Sequence, residues 1–359
     1  MILSNRFDPD VRVYKEAKYL VNNGFDVEIL CWDRENEYID KEVEIIDGIK
    51  IKRFFPYSKY GTGLKQLKPF VNFIKECKEY LRNENYQYLH CHDLDGVIAG
   101  HFARKNKSKI IFDMHEFYEV NGRNQKFRYL VRIIVNYFQS KSDYIIYVNE
   151  AQTDVISDRN KRKLVHLPNY PEVENYNGCE KTQSDKLRVS YIGAVRQYAE
   201  LKNLMDACRN IDNVNVSIHG SGVVYKNLND IKKEYNNVFV TGKYDFSESA
   251  KLYSETDILY ALYPTSSIQY IISYPVKFFE AIITKTPIIV NRGTVLEDFV
   301  NESGIGFAVD GSDTNEIREL IQYINENRYI LDEKISNLEK IQYDYSWEEV
   351  VGNLDGIYE

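Results

Sequence analysis

The sequence predicts an α/β protein built as two doubly wound domains facing across a cleft, and three observations carry that reading. The chain has 359 residues, more than one ordinary hydrophobic core organises, so two domains of roughly 150–180 residues are expected. Strand-like and helix-like segments alternate through both halves, the pattern of parallel sheets wrapped by crossover helices. Between the halves, Leu167–Lys186 carries two prolines, Gly178 and a polar run, the composition of a linker. The expected division is residues 1–168, a linker over 169–186, a second domain over 187–335, and a C-terminal segment, 336–359, that crosses back to the first.

In the first half, Met1-Ile2-Leu3 reads as the tail of a strand, short enough that the natural start is expected upstream. Val11–Asn23 follows as a helix closed by Gly24, which suits the left-handed position past a last turn. Val27–Cys31 and Lys50–Phe55 read as strands, and Leu64–Asn83 as a long helix. Tyr88–Cys91 is a strand running into H-D-L-D-G, followed by a helix over Gly96–Lys105. Lys109–Phe112 is a strand ending in D-M-H-E, and Tyr144–Val148 another before a helix near Ala151. In the second half, strands are expected at Arg188–Ile192, Val214–His219, Val238–Thr241, Ile258–Ala261 and Ile288–Val290. Helices are expected at Leu201–Asn210, Ser247–Ser254 and Thr314–Asn327, with another started by Pro275. No fixed-period repeat interrupts the alternation.

Composition narrows the function. Hydrophobic residues at 43% and charged residues at 28% fit a soluble globular protein. No apolar run reaches the ~18 residues a spanning helix needs, and no secretory leader is visible. The five cysteines are scattered and contain no C-x-x-C pair, so a reduced cytoplasm is the expected setting. Residues 1–170 hold 28 basic and 24 acidic side chains, the remainder 18 and 30, within a net charge of −8. The basic excess lies in two apolar-basic stretches, Tyr57–Arg82 and Gly122–Lys141, the second with Arg123, Lys126, Arg128 and Arg132. Such stretches either rest on anionic lipid at the inner face of a membrane or are solvated helix faces. An acidic total without a nucleic-acid-binding signature argues against nucleic acid.

The chemistry is expected in the loops that follow strands, because ligands of such sheets bind at the strands' carboxyl ends. The most informative stretch is Tyr274–Val290, where a Pro-started helix presents Lys277 and Glu280 on one face at i, i+3 spacing. A cation and a carboxylate together suit a nucleotide sugar, the cation meeting phosphate and the carboxylate accepting from ribose hydroxyls; the alternative is a surface ion pair. After the strand ending at Ile192, Gly193 lets a backbone approach closely, and Arg196 and Lys202 offer charge to a pyrophosphate. Gly220-Ser221-Gly222 and Gly242 close the next two strands, and Tyr244 is placed to pack on a base. In the first half, His92, Asp93 and His115 stand at strand ends as polar groups open to sugar hydroxyls. A metal site from His90, His92, Asp113 and His115 is conceivable, but no ligand spacing specifies it. Asp93-Leu94-Asp95 matches the D-x-D of metal-dependent sugar transfer, a triplet common by chance.

The order of seven motifs (D-P-D-V-R-V-Y-K-E-A-K-Y-L-V-N-N-G-F-D-V, H-C-H-D-L-D-G, D-M-H-E, Y-I-G-A-V-R, I-H-G-S-G, Y-P-V-K-F-F-E-A and T-P-I-I-V) resembles the retaining family 4 glycosyltransferases of the GT-B fold, with two Rossmann-like domains. It is similar above all to those that build surface polysaccharides such as capsule, exopolysaccharide or lipopolysaccharide. The resemblance implies a nucleotide-diphosphate sugar, UDP- or GDP-linked, on the C-terminal domain, and a glycan or lipid-linked acceptor on the N-terminal one. It implies no metal or other cofactor. Glu280 matches the ribose-binding glutamate, Arg196 the phosphate-binding arginine, Lys277 the lysine of a K-x-x-E variant, and His115 the histidine near the reacting sugar. Arg12, His92 and Asp93 are expected to position the acceptor. Tyr345-Ser346-Trp347 resembles the segment that returns to the first domain. Ile272 stands where many members carry an earlier glutamate, and the usual Gly-Gly loop after the first strand is absent. Two rivals follow: a non-catalytic nucleotide-sugar-binding scaffold of the same fold, and a sugar-nucleotide 2-epimerase.

Overall fold

The computed structural model describes residues 1–359 except 9, 106, 119–124 and 359, so Arg123 lies outside the described residues. The chain divides into two compact units, Met1–Asn169 with Val351–Glu359, and Tyr170–Val350.

The first unit holds β1 (Ile2–Leu3), β2 (Glu28–Trp32), β3 (Val43–Ile46), β4 (Ile49–Phe54), β5 (Tyr88–His92), β6 (Lys109–Met114), β7 (Tyr144–Tyr147) and β8 (Leu164–His166), in spatial order β3-β4-β2-β1-β5-β6-β7-β8. All pairings are parallel except β3 with β4, a hairpin closed by Asp47-Gly48 with φ of 49° and 81°. Positive φ at both residues is what a two-residue turn between twisted strands demands, and D-G supplies it. The sequence reading missed β3 because its alternation is weak: Val43 and Ile45 face outward, 53% and 72% exposed, on an edge strand. β8, missed with it, is only three residues long. The chain order reverses between β1 and β5, so the loops after them, residues 4–10 and the helix start at Asp93, are the topological switch point.

The second unit is a six-stranded parallel sheet among the described residues: β9 (Leu187–Ile192), β10 (Val214–His219), β11 (Val238–Gly242), β12 (Ile258–Ala261), β13 (Ile288–Asn291) and β14 (Gly306–Val309). Their spatial order is β11-β10-β9-β12-β13-β14. Its switch point lies between β9 and β12. The four residues of β12 and of β13 are all buried, as strands covered on both faces should be. The segment read as a linker belongs to this unit, since Tyr176 is buried in its core. The C-terminal segment divides: Leu338 is buried in the second unit's core, and Trp347 donates its backbone N–H to Pro171. Only from Val351 onward does the chain belong to the first unit, with Leu354 and Ile357 fully buried.

Candidate functional site

In the second unit, the ends of three adjacent strands are laced together by backbone. Gly193 N–H donates to His219 O at 2.9 Å, Val195 N–H to Ser221 O at 2.9 Å, and Gly220 N–H to Gly242 O at 2.8 Å. This spacing requires glycine. A Cβ on Gly220 would lie 1.9 Å from Gly193 O, and one on Gly222 2.3 Å from Val195 O. Gly193, Gly220, Gly222 and Gly242 have φ of 131°, 134°, 157° and 88°. The result is a flat, side-chain-free floor at the carboxyl ends of β9–β11, from which the helix Tyr198–Ala207 departs.

Lys277 overhangs this floor. A Cβ on Gly193 would be 3.0 Å from its Nζ, and the ammonium rests 3.5 Å from the centroid of the Tyr191 ring and 5.8 Å from that of Tyr263. The side chain is buried, yet Nζ has no hydrogen-bond partner among the described residues. Burial pushes its pKa down to about 7, with Glu280 opposing the shift. Arg196 is exposed on the loop after β9, its charge felt by both Tyr191 and Tyr263, with no ion pair among the described residues. Two basic side chains without an ion pair among the described residues, beside a glycine floor and a helix N-terminus, are an arrangement that suits an anion.

Glu280, three residues beyond Lys277, is not in a surface ion pair. Its Oε1 accepts from Tyr176 Oη at 2.7 Å and its Oε2 from Tyr253 Oη at 2.9 Å, and all three side chains are buried. Each oxygen of an ionised carboxylate can accept more than one hydrogen bond. Tyr244 borders the same core, its hydroxyl pushed up to about 12 by burial and then by the Glu280 charge. Lys202 goes elsewhere: it pairs along its own helix with Asp206 at 2.6 Å, beside the Tyr235 ring. Tyr176, Tyr191, Tyr253 and Tyr263 escaped the sequence reading because, among 30 tyrosines, no pattern separates them from ordinary packing.

The first unit gathers a different set. The first turn of the helix Val11–Asn22, capped by Asp10, points Arg12 inward. Its guanidinium bonds Asp113 twice, Nε to Oδ2 at 3.1 Å and Nη2 to Oδ1 at 2.9 Å, and Nη1 donates to Leu167 O at 3.0 Å. Glu16, one turn on, stands 3.1 Å from Arg12 Nε and 3.5 Å from His90 Nε2. Asp113 Oδ2 also meets His92 Nδ1 at 3.1 Å and His115 Nε2 at 2.9 Å. His115 Nδ1 lies 3.4 Å from Asp93, which accepts from Tyr118 Oη at 2.8 Å. His90 Nδ1 and Tyr358 Oη are 2.8 Å apart, a tie made by the returning C-terminal segment.

The titrations follow from these contacts. Burial opposes a charge on His115, but Asp113 and Asp93 outweigh it and hold the imidazolium well above the usual histidine range. Burial and the neighbouring His90 push His92 down to about 3, and burial raises Glu16 to about 8. Glu16, His90, His92 and Asp113 bring four ligand atoms within 4.8 Å of one another, the donor set of a metal site. The Arg12 guanidinium, 3.1 Å from both Glu16 Oε1 and Asp113 Oδ2, already supplies a cation there. Of the residues expected to position an acceptor, Arg12 and His92 are buried at 5% and 2% exposure, while the carboxylate of Asp93 is 42% exposed; the expected catalytic His115 is 18% exposed. Asp93 also takes φ of 62°, a strained backbone of the sort that functional sites hold. Sequence reasoning passed over Glu16, although R-x-x-x-E at i, i+4 spacing places it on the Arg12 face.

The family model described as Glycosyltransferase Family 4 matches residues 10–170, and that described as Glycosyl transferases group 1 matches residues 174–342. The chain is 23% identical over 353 residues to an uncharacterized glycosyltransferase of Methanocaldococcus jannaschii, covering 95% of this chain and 92% of the relative. It is 22% identical over 344 residues to an uncharacterized 41.2 kDa protein in the cps region of Klebsiella pneumoniae, covering 88% of each. Among solved structures, a sucrose-phosphate synthase from Thermosynechococcus elongatus superposes with a TM-score of 0.78 at 16% identity, over 97% of this chain and 92% of that one. Anabaena HepE in complex with UDP-glucose gives 0.70 at 13%, over 99% and 97%.

Proposed function

The chain belongs to the family 4 glycosyltransferases of the GT-B fold and is a transferase, and on that premise we propose that it moves a sugar from a nucleotide-diphosphate sugar to a glycan or lipid-linked acceptor in cell-surface polysaccharide synthesis. The observation that carries the donor assignment is the buried Lys277, its ammonium without a hydrogen-bond partner beside Gly193, with Arg196 on the loop of the same strand end. A similar fold binds UDP-glucose in HepE, which favours a UDP- or GDP-sugar; the cps-region relative favours a polysaccharide pathway.

In this reading the diphosphate lies on the glycine floor, where missing side chains let its oxygens approach the backbone and the first turn of the helix Tyr198–Ala207. Arg196 and Lys277 neutralise the charge that grows on the departing diphosphate, so they stabilise the transition state more than the ground state, without calling on a metal. Glu280, held by Tyr176 and Tyr253, accepts from the ribose hydroxyls, and Tyr244 packs near the base. Gly242 keeps the third strand end low. In the first unit, His115 is a fixed cation near the reacting sugar and Asp93 an exposed carboxylate for acceptor hydroxyls; Arg12 and His92 hold them from behind. Retention of anomeric configuration is part of the proposal and rests on the family.

A thermal-shift screen against UDP, GDP, ADP, CMP and dTDP and their sugar conjugates tests the donor site. Ligand at 100 times its Kd should stabilise the protein by about 2.7 kcal/mol. A selective shift abolished by Glu280→Ala supports the assignment, and no shift from any nucleotide in folded protein would overturn it.

A further inference from the structure

At the carboxyl ends of β1 and β2 the first unit holds a cavity of about 590 Å³, within the roughly 300–1,000 Å³ usual for small-molecule sites. One wall is the loop after β1, residues 4–10, and arginines from β2's far end and from β4 pin it. Arg34 donates to Ser4 O; Arg53, which is buried, donates Nε to Arg6 O at 3.0 Å and Nη2 to Phe7 O at 3.3 Å. The Arg34 guanidinium carbon in turn rests 4.4 Å from the centroid of the Trp32 ring and 5.5 Å from that of Tyr60. Its Nη1 is spent on Gln66 Oε1 at 3.1 Å. The protein's own contacts therefore hold the cavity in shape, which lowers the cost of filling it.

The lining points to a class of ligand. Asp8, Asp10, Asp33 and Glu35 face Arg6 and Arg34 around the cavity, and Arg6 is already paired with Asp8 at 3.1 Å. Asp95 adds a further carboxylate beside Ser4, accepting from its Oγ at 3.3 Å. Asp33 is 1% exposed; its Oδ2 accepts from Tyr38 N–H at 2.7 Å, while Oδ1 has no hydrogen-bond partner among the described residues. A buried carboxylate oxygen without a donor is stabilised by a ligand that brings one. Tyr60 is 76% exposed, so most of its ring is open to a ligand. Carboxylates that accept from hydroxyls, beside an aromatic ring that packs on C–H groups, suit a sugar. The surplus of negative charge turns an acid group away, since like charges brought together are costly. The cavity also adjoins the reaction side of this unit: Asp95 lies on the first turn of the helix that Asp93 starts.

We propose that this cavity seats the terminal sugar of the acceptor, a hydroxyl-rich ring without an acid group, with Asp33 and Glu35 accepting from its hydroxyls and Tyr60 packed on its C–H face. The proposal rests on the transfer reading for the word acceptor and deepens it by naming the acceptor's chemistry; the cavity itself is tested without turnover. The experiment is a saturation-transfer NMR titration of the full chain, without nucleotide, using the methyl glycosides of glucose, galactose, mannose and N-acetylglucosamine. Methyl glucuronide and methyl galacturonide serve as the acidic counterparts. The best neutral glycoside should bind at least about tenfold more tightly than either uronate. Tyr60→Ala should weaken it about five- to tenfold, the worth of an aromatic contact. Asp33→Asn keeps the bond from Tyr38 and should weaken it by about tenfold or more, as loss of a charged acceptor does. Glu35→Gln should narrow the gap between neutral and acidic sugars. Tyr60 is exposed, so its variant should melt with the wild type; should Asp33→Asn melt early, Tyr60→Ala decides. The donor residues belong to the other unit, so Glu280→Ala should bind the glycosides like the wild type, which keeps failure of the donor reading apart from failure here. No saturation transfer from any neutral glycoside, a preference for the uronates, or binding that Tyr60→Ala leaves unchanged would each overturn the proposal.

Discussion

The two units handle buried charge in opposite ways. In the first, Arg12, Asp113, His115 and Asp93 form a closed chain in which each charge has an opposite within about hydrogen-bond reach. In the second, Lys277 is buried with only an aromatic face beneath its ammonium, and Arg196 stands without a counter-ion among the described residues. A charge-paired cluster holds backbone in place, even with Glu16 and His90 Nε2 left short of hydrogen bonds, whereas a buried cation without an ion pair is stabilised when an anionic ligand arrives. The comparison teaches that charge in a strand-end loop is a poor guide to binding until its partners are known.

The largest expected effect tests the closed cluster. Asp113→Asn leaves Arg12 to Glu16 and His115 to Asp93, removes the carboxylate that ties the two together, and should cost up to about 3–5 kcal/mol in denaturant unfolding. A cost near zero would dissolve the contrast between the units. Lys277→Met should act the other way round: turnover falls by about 10²–10³ while folding stability does not drop, because an uncompensated ammonium has been removed. Loss of stability with turnover intact would make Lys277 a structural residue.

Glu280→Gln keeps the shape but removes the charge, and should raise the KM for the donor by about 10- to 100-fold, the ~1.5–3 kcal/mol of a charged hydrogen bond. Discrimination between ribose and 2′-deoxyribose nucleotides should shrink with it, as measured by competition.

A pH series sharpens the comparison further. Lys277 titrates near 7 in the folded protein against an ordinary 10.5. Below about 7 it is already charged; above, diphosphate binding must bring in a proton, so affinity should fall by up to about tenfold per pH unit. The unfolded chain binds the extra proton between about 7 and 10.5. The penalty of burying the ammonium is therefore full below 7 and lifts as pH rises through that window, and the melting-point gap between wild type and Lys277→Met should narrow over it. A gap independent of pH would mean that Lys277 keeps its ordinary pKa. The smallest effect is expected at Lys202→Ala. Its half-buried pair with Asp206, on one helix at i, i+4, is worth about 1 kcal/mol or less, so nucleotide affinity should move by less than about fivefold in calorimetry.

How much was legible in advance differs between fold and site. Most strands were found because their apolar runs are short, branched and bounded by turn residues, as in Ile288–Val290. The missed ones, β3, β8 and β14, are short edge or near-edge segments where tertiary pairing, not local pattern, makes the strand. The glycine floor was readable, since Gly193, Gly220, Gly222 and Gly242 each follow an expected strand and only glycine tolerates their backbone. The helix Val276–Ile283 was readable with its lysine and glutamate on one face.

What the sequence by itself determined is therefore what depends on neighbours in the chain: alternation of strands and helices, glycine at strand ends, i, i+3 pairing on one helix, and motif order. Which ionisable groups are paired was decided only by tertiary structure. Asp113 lies 101 residues from Arg12, and Tyr176 104 from Glu280, separations at which no periodicity carries information. Burial and partnership fix whether a charge is scaffold or site, and both are properties of the folded surface, not of the residue type.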